Sequence, residues 1–141
     1  MARYNFIGKT QSDLFPNRGI GIGVPFDGNT GINSTYLTKE AIRANLLNFF
    51  LTAKRERIFK PNFGSGLRNL LFEPLTDESR NDIKAFIEDG VESYFPNIEV
   101  NDVSIGFQED NHVALINFKY SVKSTNINDE ITITFTNVST I

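Results

Sequence analysis

The chain has no cysteine, no tryptophan and a single histidine, His112, among its 141 residues. The lack of cysteine excludes disulfides, thiolate zinc sites and cysteine nucleophiles. A single histidine excludes a metal site built from several histidines of one chain. We therefore predict no catalytic thiol, no bound metal and no cofactor.

Long apolar runs are absent as well. No segment approaches the roughly 18 apolar residues that span a membrane, and the start, MARYNFIGKTQSD, lacks the apolar centre of a signal peptide. The net charge of −3 differs from the basic footprint of a general nucleic-acid binder. We expect a protein that is made in the cytoplasm and stays soluble unless a partner carries it elsewhere, without nucleic acid or membrane as partners.

The composition that remains is that of a globular protein. Hydrophobic residues make up 40% of the chain, and thirteen phenylalanines with four tyrosines supply large side chains for one core. At this length we predict a single domain over residues 1–141. Residues 1–18 show scattered aromatic side chains without a clear period and are predicted to form an extended arm.

The first half of the chain carries one strand pattern and two helix patterns. Residues 19–26, GIGIGVPF, alternate glycine with apolar side chains, which predicts a strand with glycines where another backbone comes close. No helix opens after them at GxGxxG spacing, so a phosphate-binding loop is rejected. One helix is predicted from Thr38, acting as its cap, with basic residues at its C-terminal end. A second runs from a Thr76 cap to about Tyr94.

The last third alternates apolar and polar residues with a period of two. Its three predicted strands are separated by polar turns and share one apolar side. We therefore predict an α+β fold in which two main helices pack on a mainly antiparallel sheet with a C-terminal three-stranded meander.

The segment Lys60–Thr76, KPNFGSGLRNLLFEPLT, joins the two helices and is unusual for a linker. It combines two glycines with five large apolar side chains between its two prolines, which predicts a shaped and partly buried connector. Here the chain resembles the baseplate wedge proteins of contractile phage tails, the sheath-initiator family, which has relatives in type VI secretion. The residues that carry the resemblance are Pro61, Phe63, Gly64, Ser65, Gly66, Leu67, Arg68, Leu71, Phe72, Glu73 and Pro74.

The resemblance implies a structural protein of the inner baseplate ring, located in the virion tail and assembled in the host cytoplasm. Family members contact the helical bundle of neighbouring wedge proteins through the Glu-Pro region and resemble the interlocking domain of sheath subunits. We therefore expect a protein that joins the wedge to the first ring of the tail sheath and initiates sheath assembly, with the tube or hub as a further candidate neighbour. The alternative within the family is the equivalent subunit of a type VI secretion or other injection machine.

Several residues are candidates for contact with these partners. Glu73 would accept hydrogen bonds from a wedge protein while Pro74 fixes its angle, with Arg68 and Phe72 beside it. The alternative is an internal Glu73–Arg68 ion pair, which contributes only about 0–1 kcal/mol when exposed. Some relatives carry arginine after the Glu-Pro pair, where this chain has Leu75, so Arg68 or Arg80 would have to supply any contact of that arginine.

Two further surfaces are candidates. The basic residues Lys54, Arg55 and Arg57 either form a solvated helix end or face an acidic patch on a neighbouring subunit, and Phe59 could anchor a neighbour. The C-terminal tail Ile131–Ile141 carries no charge and includes Ile133 and Phe135. It either pairs only inside its own sheet or also accepts a strand from a sheath subunit.

A peptidoglycan hydrolase is the alternative from another functional class, because members of this family have been labelled lysozyme-like. Glycoside hydrolysis requires two carboxylates about 5–10 Å apart, and Glu73 with Asp77 or Glu78 is the pair to consider. The two latter residues are better explained as charges in the first turn of the second helix. We predict that the chain is not an enzyme.

Overall fold

The computed structural model describes residues 19–24, 32–67, 76–108 and 113–136. The α+β prediction, with two main helices and a C-terminal meander, is confirmed. In chain order the elements are β1 (Gly21–Ile22), β2 (Ser34–Thr35), α1 (Thr38–Leu51), α2 (Asp77–Tyr94), β3 (Ile98–Gln108), β4 (Val113–Val122) and β5 (Asn128–Thr136). The predicted arm, residues 1–18, lies outside the described residues. Neither α1 nor α2 is long and apolar enough to cross a membrane.

The first strand is short within the described residues 19–24 of the GIGIGVPF pattern, and residues 25–26 of that pattern lie outside the described residues. Gly21 and Ile22 pair with β2 in an antiparallel two-stranded sheet in which Gly21 lies opposite Thr35, and the N–H of Ile20 donates to the carbonyl of Thr35 at 2.8 Å. The close approach expected at the glycines is confirmed at Gly21. A Cβ atom there would lie 2.7 Å from the Thr35 hydroxyl oxygen and 3.1 Å from the Cβ of Ala41, so the lack of a side chain allows β1 to lie against the start of α1.

Helix α1 begins at Thr38 as predicted, but its cap residue and its C-terminal end differ from the prediction. Leu37 occupies the cap position and makes no side-chain capping hydrogen bond, so Thr38 is the first helical residue and not the cap. The helix ends at Leu51 because Thr52 adopts extended backbone angles, with φ −84° and ψ 129°. Its last turn therefore contains no basic residue, and the predicted basic helix end is wrong: Lys54, Arg55 and Arg57 lie in the loop that follows.

The second helix begins where the sequence predicts. Its first residue is Asp77, and the carbonyl of Thr76 accepts a hydrogen bond from the Arg80 N–H at 3.1 Å, which places Thr76 at the cap position. The helix ends at Tyr94, as predicted, immediately before the Phe95-Pro96 pair.

The C-terminal meander is a three-stranded antiparallel sheet in the order β3-β4-β5. Tyr120 pairs with Asp129 and Ile116 with Ile133 between β4 and β5, and the register to β3 shifts once, between Val100 and Asp102. Alternate side chains of β4 face the core: Ala114, Ile116, Phe118, Tyr120 and Val122. The core-facing side chains of β4 and β5 therefore follow the period of two that the sequence predicts.

Both helices pack on this apolar side of the sheet and complete one core. Leu46, Phe49 and Phe50 come from α1, and Ile83, Ile87 and Val91 come from α2. The rings of Phe50 and Phe118 meet edge to face with their centroids 5.1 Å apart, which joins α1 directly to the central strand.

Candidate partner-binding site

The connector motif FGSGL fastens the chain to the C-terminal end of α1. Ser65 is buried; its N–H donates to the carbonyl of Phe49 at 3.1 Å, and its hydroxyl donates to the carbonyl of Phe50 at 2.9 Å. Helix ends leave such carbonyls without partners inside the helix, so one serine side chain and its backbone satisfy two of them. The motif is therefore first of all a cap for α1.

Gly64 is required at this place for two reasons. Its φ of +113° lies in a region that side chains rarely allow, and a Cβ atom would be 2.5 Å from the carbonyl oxygen of Thr52. Gly66 also has a positive φ, +57°, but has open space around it, since the nearest atom to a Cβ would be Lys54 Cγ at 3.7 Å. Both glycines of the connector therefore adopt backbone angles that other residues avoid.

Between α1 and this motif, residues 53–63 form a closed loop. The Arg55 N–H donates to the carbonyl of Pro61 at 2.7 Å, and the Ala53 N–H donates to the Glu56 carboxylate at 2.8 Å. Arg55 itself has a positive φ of +70°. These contacts tie the base of the loop and leave Arg57, Ile58, Phe59 and Lys60 at its end, which we call the loop tip.

An aromatic cluster holds the base of the loop against α2. Phe49 contacts both Phe63 and Tyr94, at centroid distances of 5.5 and 5.4 Å, and the Tyr94 hydroxyl donates to the carbonyl of Asn62 at 2.6 Å. Two cations lie over rings: Arg57 is 4.1 Å from the Phe63 centroid, and Lys54 is 4.7 Å from that of Phe86. The predicted basic residues are therefore exposed but partly positioned by aromatic side chains.

An open groove of about 410 Å³ lies between the loop and α2. Its lining combines three aromatic side chains with polar and charged ones. It is lined by Phe49, Lys54, Asn62, Gly64, Phe86, Asp89, Gly90, Ser93 and Tyr94. Across the described ranges no group of three or more histidine, aspartate and glutamate side chains could hold a metal ion.

The residues predicted to contact a wedge protein fall into two sets. Lys54, Arg55 and Arg57 lie together on the loop described above. The other four, Arg68, Phe72, Glu73 and Pro74, lie outside the described residues together with Leu75, so their contacts stay predictions. Both ends of that segment are nevertheless anchored, because Leu67 is fully buried before it and Thr76 opens α2 after it.

Of the carboxylates named for the hydrolase alternative, Glu73 lies outside the described residues, and Asp77 and Glu78 are exposed at the start of α2. A glycosidase general acid requires a sheltered carboxyl group. The side chain of Asp77 is fully exposed and lies 3.7 Å from Arg80 one helical turn later. Its position is that of a first-turn helix charge, as the sequence predicts.

The last strand combines buried side chains with an open edge. Ile133 is buried and Phe135 packs against the core, so neither side chain offers a partner more than a small contact. A partner at this strand would contact main-chain atoms or the exposed side chains of Thr132, Thr134 and Thr136.

Two hydrogen bonds establish which main-chain groups of β5 point outward. The Val122 N–H donates to the carbonyl of Ile127 at 2.9 Å, so this pair is of the hydrogen-bonded type. Because the two types alternate along an antiparallel ladder, Ile131 and Ile133 direct their N–H and C=O groups toward β4. Glu130 and the three threonines then direct theirs away from β4, and Arg43 indeed donates to the outward carbonyl of Glu130 at 2.9 Å.

The start of α1 is attached to this strand by a charged cluster that sequence inspection missed. Asp129 lies 3.3 Å from Lys39 and 3.1 Å from Arg43, and it accepts a hydrogen bond from the Tyr120 hydroxyl at 3.3 Å. Burial alone would raise the pKa of Asp129, but hydrogen bonds from the Glu130 backbone, Arg43 and Lys39 outweigh it and lower that pKa. Burial and the neighbouring carboxylate raise the pKa of the Tyr120 hydroxyl.

Comparison with known proteins matches this architecture to one family. A sequence model for the family described as "Baseplate wedge protein gp25" matches residues 37–127, more than half of the chain. The chain belongs to the baseplate wedge protein gp25 family. Baseplate wedge protein gp25 of Enterobacteria phage T4 is 28% identical over 116 residues, which cover 82% of this chain and 83% of the phage protein. The family resemblance inferred from the connector is therefore confirmed.

Solved structures show the same fold in relatives of this gp25-family chain. A proposed tail lysozyme from Geobacter sulfurreducens superposes with a TM-score of 0.59 and 24% identity, covering 68% of this chain and 87% of that one. A chain of the anti-feeding prophage baseplate superposes with a TM-score of 0.53 and 23% identity, covering 84% and 86%. The matched family region runs from the start of α1 into the β4–β5 turn and includes both the loop and the connector.

Proposed function

We propose that this gp25-family protein joins the wedge proteins of a contractile-tail baseplate to the first ring of the tail sheath, and that sheath assembly starts on it. The observation that carries the proposal is the outer edge of β5. Three successive outward-facing residues, Thr132, Thr134 and Thr136, present unpaired main-chain groups, and within the described ranges no strand pairs with them. An extended segment of a sheath subunit can add to such an edge by β-augmentation.

The wedge-facing side of the proposal rests on the opposite end of α1. The predicted contact residues Arg68, Phe72, Glu73 and Pro74 follow Leu67 in the sequence. Leu67 is buried, and Gly66 before it lies beside the basic residue Lys54 of the loop. We place the contact with the helical bundle of neighbouring wedge proteins here. The protein then acts in the virion tail after assembly in the host cytoplasm, through complementary shape and charge.

A proline at Thr134 tests the sheath-binding edge. Its N–H points away from β4, so Thr134→Pro removes a donor from the outer edge without breaking the β4–β5 ladder. We expect baseplates that contain the protein but remain bare of sheath in electron micrographs. The matched control is Thr134→Ala, which keeps the N–H and should support normal sheath assembly.

The stability of the two variants separates loss of the edge from loss of the fold. Thr134→Ala should unfold within about 0.5 kcal/mol of the wild type, since exposed positions tolerate such a substitution. Thr134→Pro keeps the hydrogen bonds to β4 but fixes φ at about −65°, so we expect it to lose about 1–2 kcal/mol and still fold at the assembly temperature. Normal sheath on Thr134→Pro baseplates would show that the edge is not used.

We further propose that the protein has no hydrolytic activity. Its family is structural, and the exposed Asp77 does not form a sheltered carboxyl pair. The test is a turnover assay of the purified protein on peptidoglycan. Activity that disappears in Glu73→Gln would overturn this part of the proposal.

A further inference from the structure

The loop tip presents two large apolar side chains to solvent. Phe59 is 97% exposed and Ile58 is 89% exposed, more than any other large hydrophobic side chain in the described ranges. Neither belongs to the core that α1, α2 and the meander form. The two side chains therefore do not stabilise the core, whereas burial at an interface would remove both from water.

The loop holds these side chains in one place. In addition to the bonds at its base, the Phe63 N–H donates to the carbonyl of Lys60 at 3.0 Å, and Arg57 lies over the ring of Phe63. A loop that is already closed loses less conformational freedom on binding than an open one. The loop tip is therefore preorganised for binding.

Positive charge surrounds the apolar tip. Lys54, Arg55, Arg57 and Lys60 are all exposed, and the one acid of the loop, Glu56, already accepts the Ala53 N–H. An apolar centre with a cationic rim is complementary to an apolar cleft with an anionic rim. We infer that the loop tip inserts Ile58 and Phe59 into an apolar cleft, rimmed by carboxylates, on another protein of the baseplate wedge. This inference rests on the proposed function, and it adds a second wedge contact beside the Glu-Pro segment.

Two other occupants fit the surroundings of the tip less well. The exposed Asp89 lines the groove beside the loop, and Glu92 is exposed on the same helix, so an anionic membrane at this side of the molecule would also meet negative charge. In a second copy of the chain, the groove between loop and α2 is lined by one cation, Lys54, and one anion, Asp89, so it lacks the net negative charge that would attract a basic tip. A cleft on a different, acidic protein avoids both conflicts.

The test compares two exposed apolar sites in whole particles. The double variant Ile58→Ser/Phe59→Ser should be recovered in wedge complexes at least about tenfold less than the wild type. Ile32→Ser, at a residue that is 72% exposed but lies beside β2, is the matched control and should be recovered normally. The wild type, the double variant and Ile32→Ser should unfold at the same temperature. A separate variant, Lys60→Glu, should be recovered in wedge complexes less than the wild type, and this difference should grow as the salt concentration is lowered.

Photo-crosslinking identifies the occupant. A crosslinking side chain at position 59 of the assembled particle should label one acidic, apolar-lined segment of a wedge protein, and the same side chain at position 32 should not. Labelling of a second copy, binding of anionic vesicles that requires Phe59, or full recovery of the double variant would overturn the inference. If the double variant is recovered normally while Thr134→Pro baseplates stay bare, only the tip inference fails. If the wild type is absent from baseplates, the proposed function fails as well.

Discussion

The two ends of helix α1 hold two surfaces of different kinds. At its C-terminal end, Ser65 and an aromatic cluster position a loop whose tip presents side chains, Ile58 and Phe59 above all. At its N-terminal end, Lys39 and Arg43 contact β5, and the outer edge of that strand presents main-chain groups. With 14 residues at about 1.5 Å each, α1 separates the two by about 21 Å.

This difference shows how one small domain can bind two different neighbours selectively. A side-chain surface selects its partner by pockets and charge, whereas a main-chain edge accepts any segment that can extend beside it. Substitutions should therefore affect the ends in different ways. Polar replacements should disable the tip, whereas only loss of an N–H group should disable the edge.

The largest loss of stability is expected from a substitution at Gly64, where the connector lies against the C-terminal end of α1. Gly64→Val places a branched side chain at φ +113° and a Cβ atom 2.5 Å from the carbonyl oxygen of Thr52. We expect a loss of about 3 kcal/mol or more in the free energy of unfolding, measured by urea denaturation.

Gly66→Ala is the matched control for that change. It introduces a side chain at a positive φ of +57° but into open space, and should cost only about 1 kcal/mol. Equal losses in the two variants would mean that backbone angle alone, without the contact to Thr52, explains the requirement for glycine.

This end of the molecule was predictable from the sequence in large part. Prolines, glycines and apolar residues in one short segment indicate special backbone angles and burial, and Gly64, Gly66 and Leu67 confirm both. The exact end of α1 was not predictable, because the apolar period in the sequence continues to Ala53. In the structure the helix ends at Leu51, since Thr52 adopts extended backbone angles. The role of Ser65 was missed, since nothing local marks a serine that caps a helix 15 residues earlier.

A medium effect is expected when that cap is removed. Ser65→Ala leaves the Phe50 carbonyl without its 2.9 Å hydrogen bond in a buried place. An unsatisfied buried acceptor costs about 1–3 kcal/mol, and the same denaturation measurement should detect it. Ser104→Ala, at an exposed position on β3, should change the stability by less than about 0.5 kcal/mol.

The N-terminal end of α1 was harder to predict. The alternation of β5 predicts which side chains are buried, but the direction of its main-chain groups depends on its pairing with β4. That pairing follows from the turn between the strands, where Ser124 has a φ of +64°. The contact between Arg43 and Asp129 joins residues 86 positions apart, so no local pattern reveals it.

A smaller effect, and the one that most sharpens the comparison, concerns Asp129. Asp129→Asn removes its charge from the pairs with Lys39 and Arg43, and should cost about 1–2 kcal/mol at neutral pH. The folded-state pKa of Asp129 lies below its ordinary value of 3.8, so the carboxylate stabilises the fold above that value. This stabilisation is lost as the pH falls through the folded-state pKa, and Asp129→Asn should lack that part of the acid-induced loss.

Tyr120→Phe separates the charge of Asp129 from its hydrogen bond to the core. The substitution removes the 3.3 Å bond from the Tyr120 hydroxyl but keeps the carboxylate between Lys39 and Arg43. It should therefore cost about 0.5–1.5 kcal/mol and retain the acid-induced loss of the wild type. If thermal unfolding from pH 7 down to acid gives parallel curves for Asp129→Asn and the wild type, the two cations do not hold α1 to β5 through this charge. The outer edge of β5 would then owe its position to the core alone.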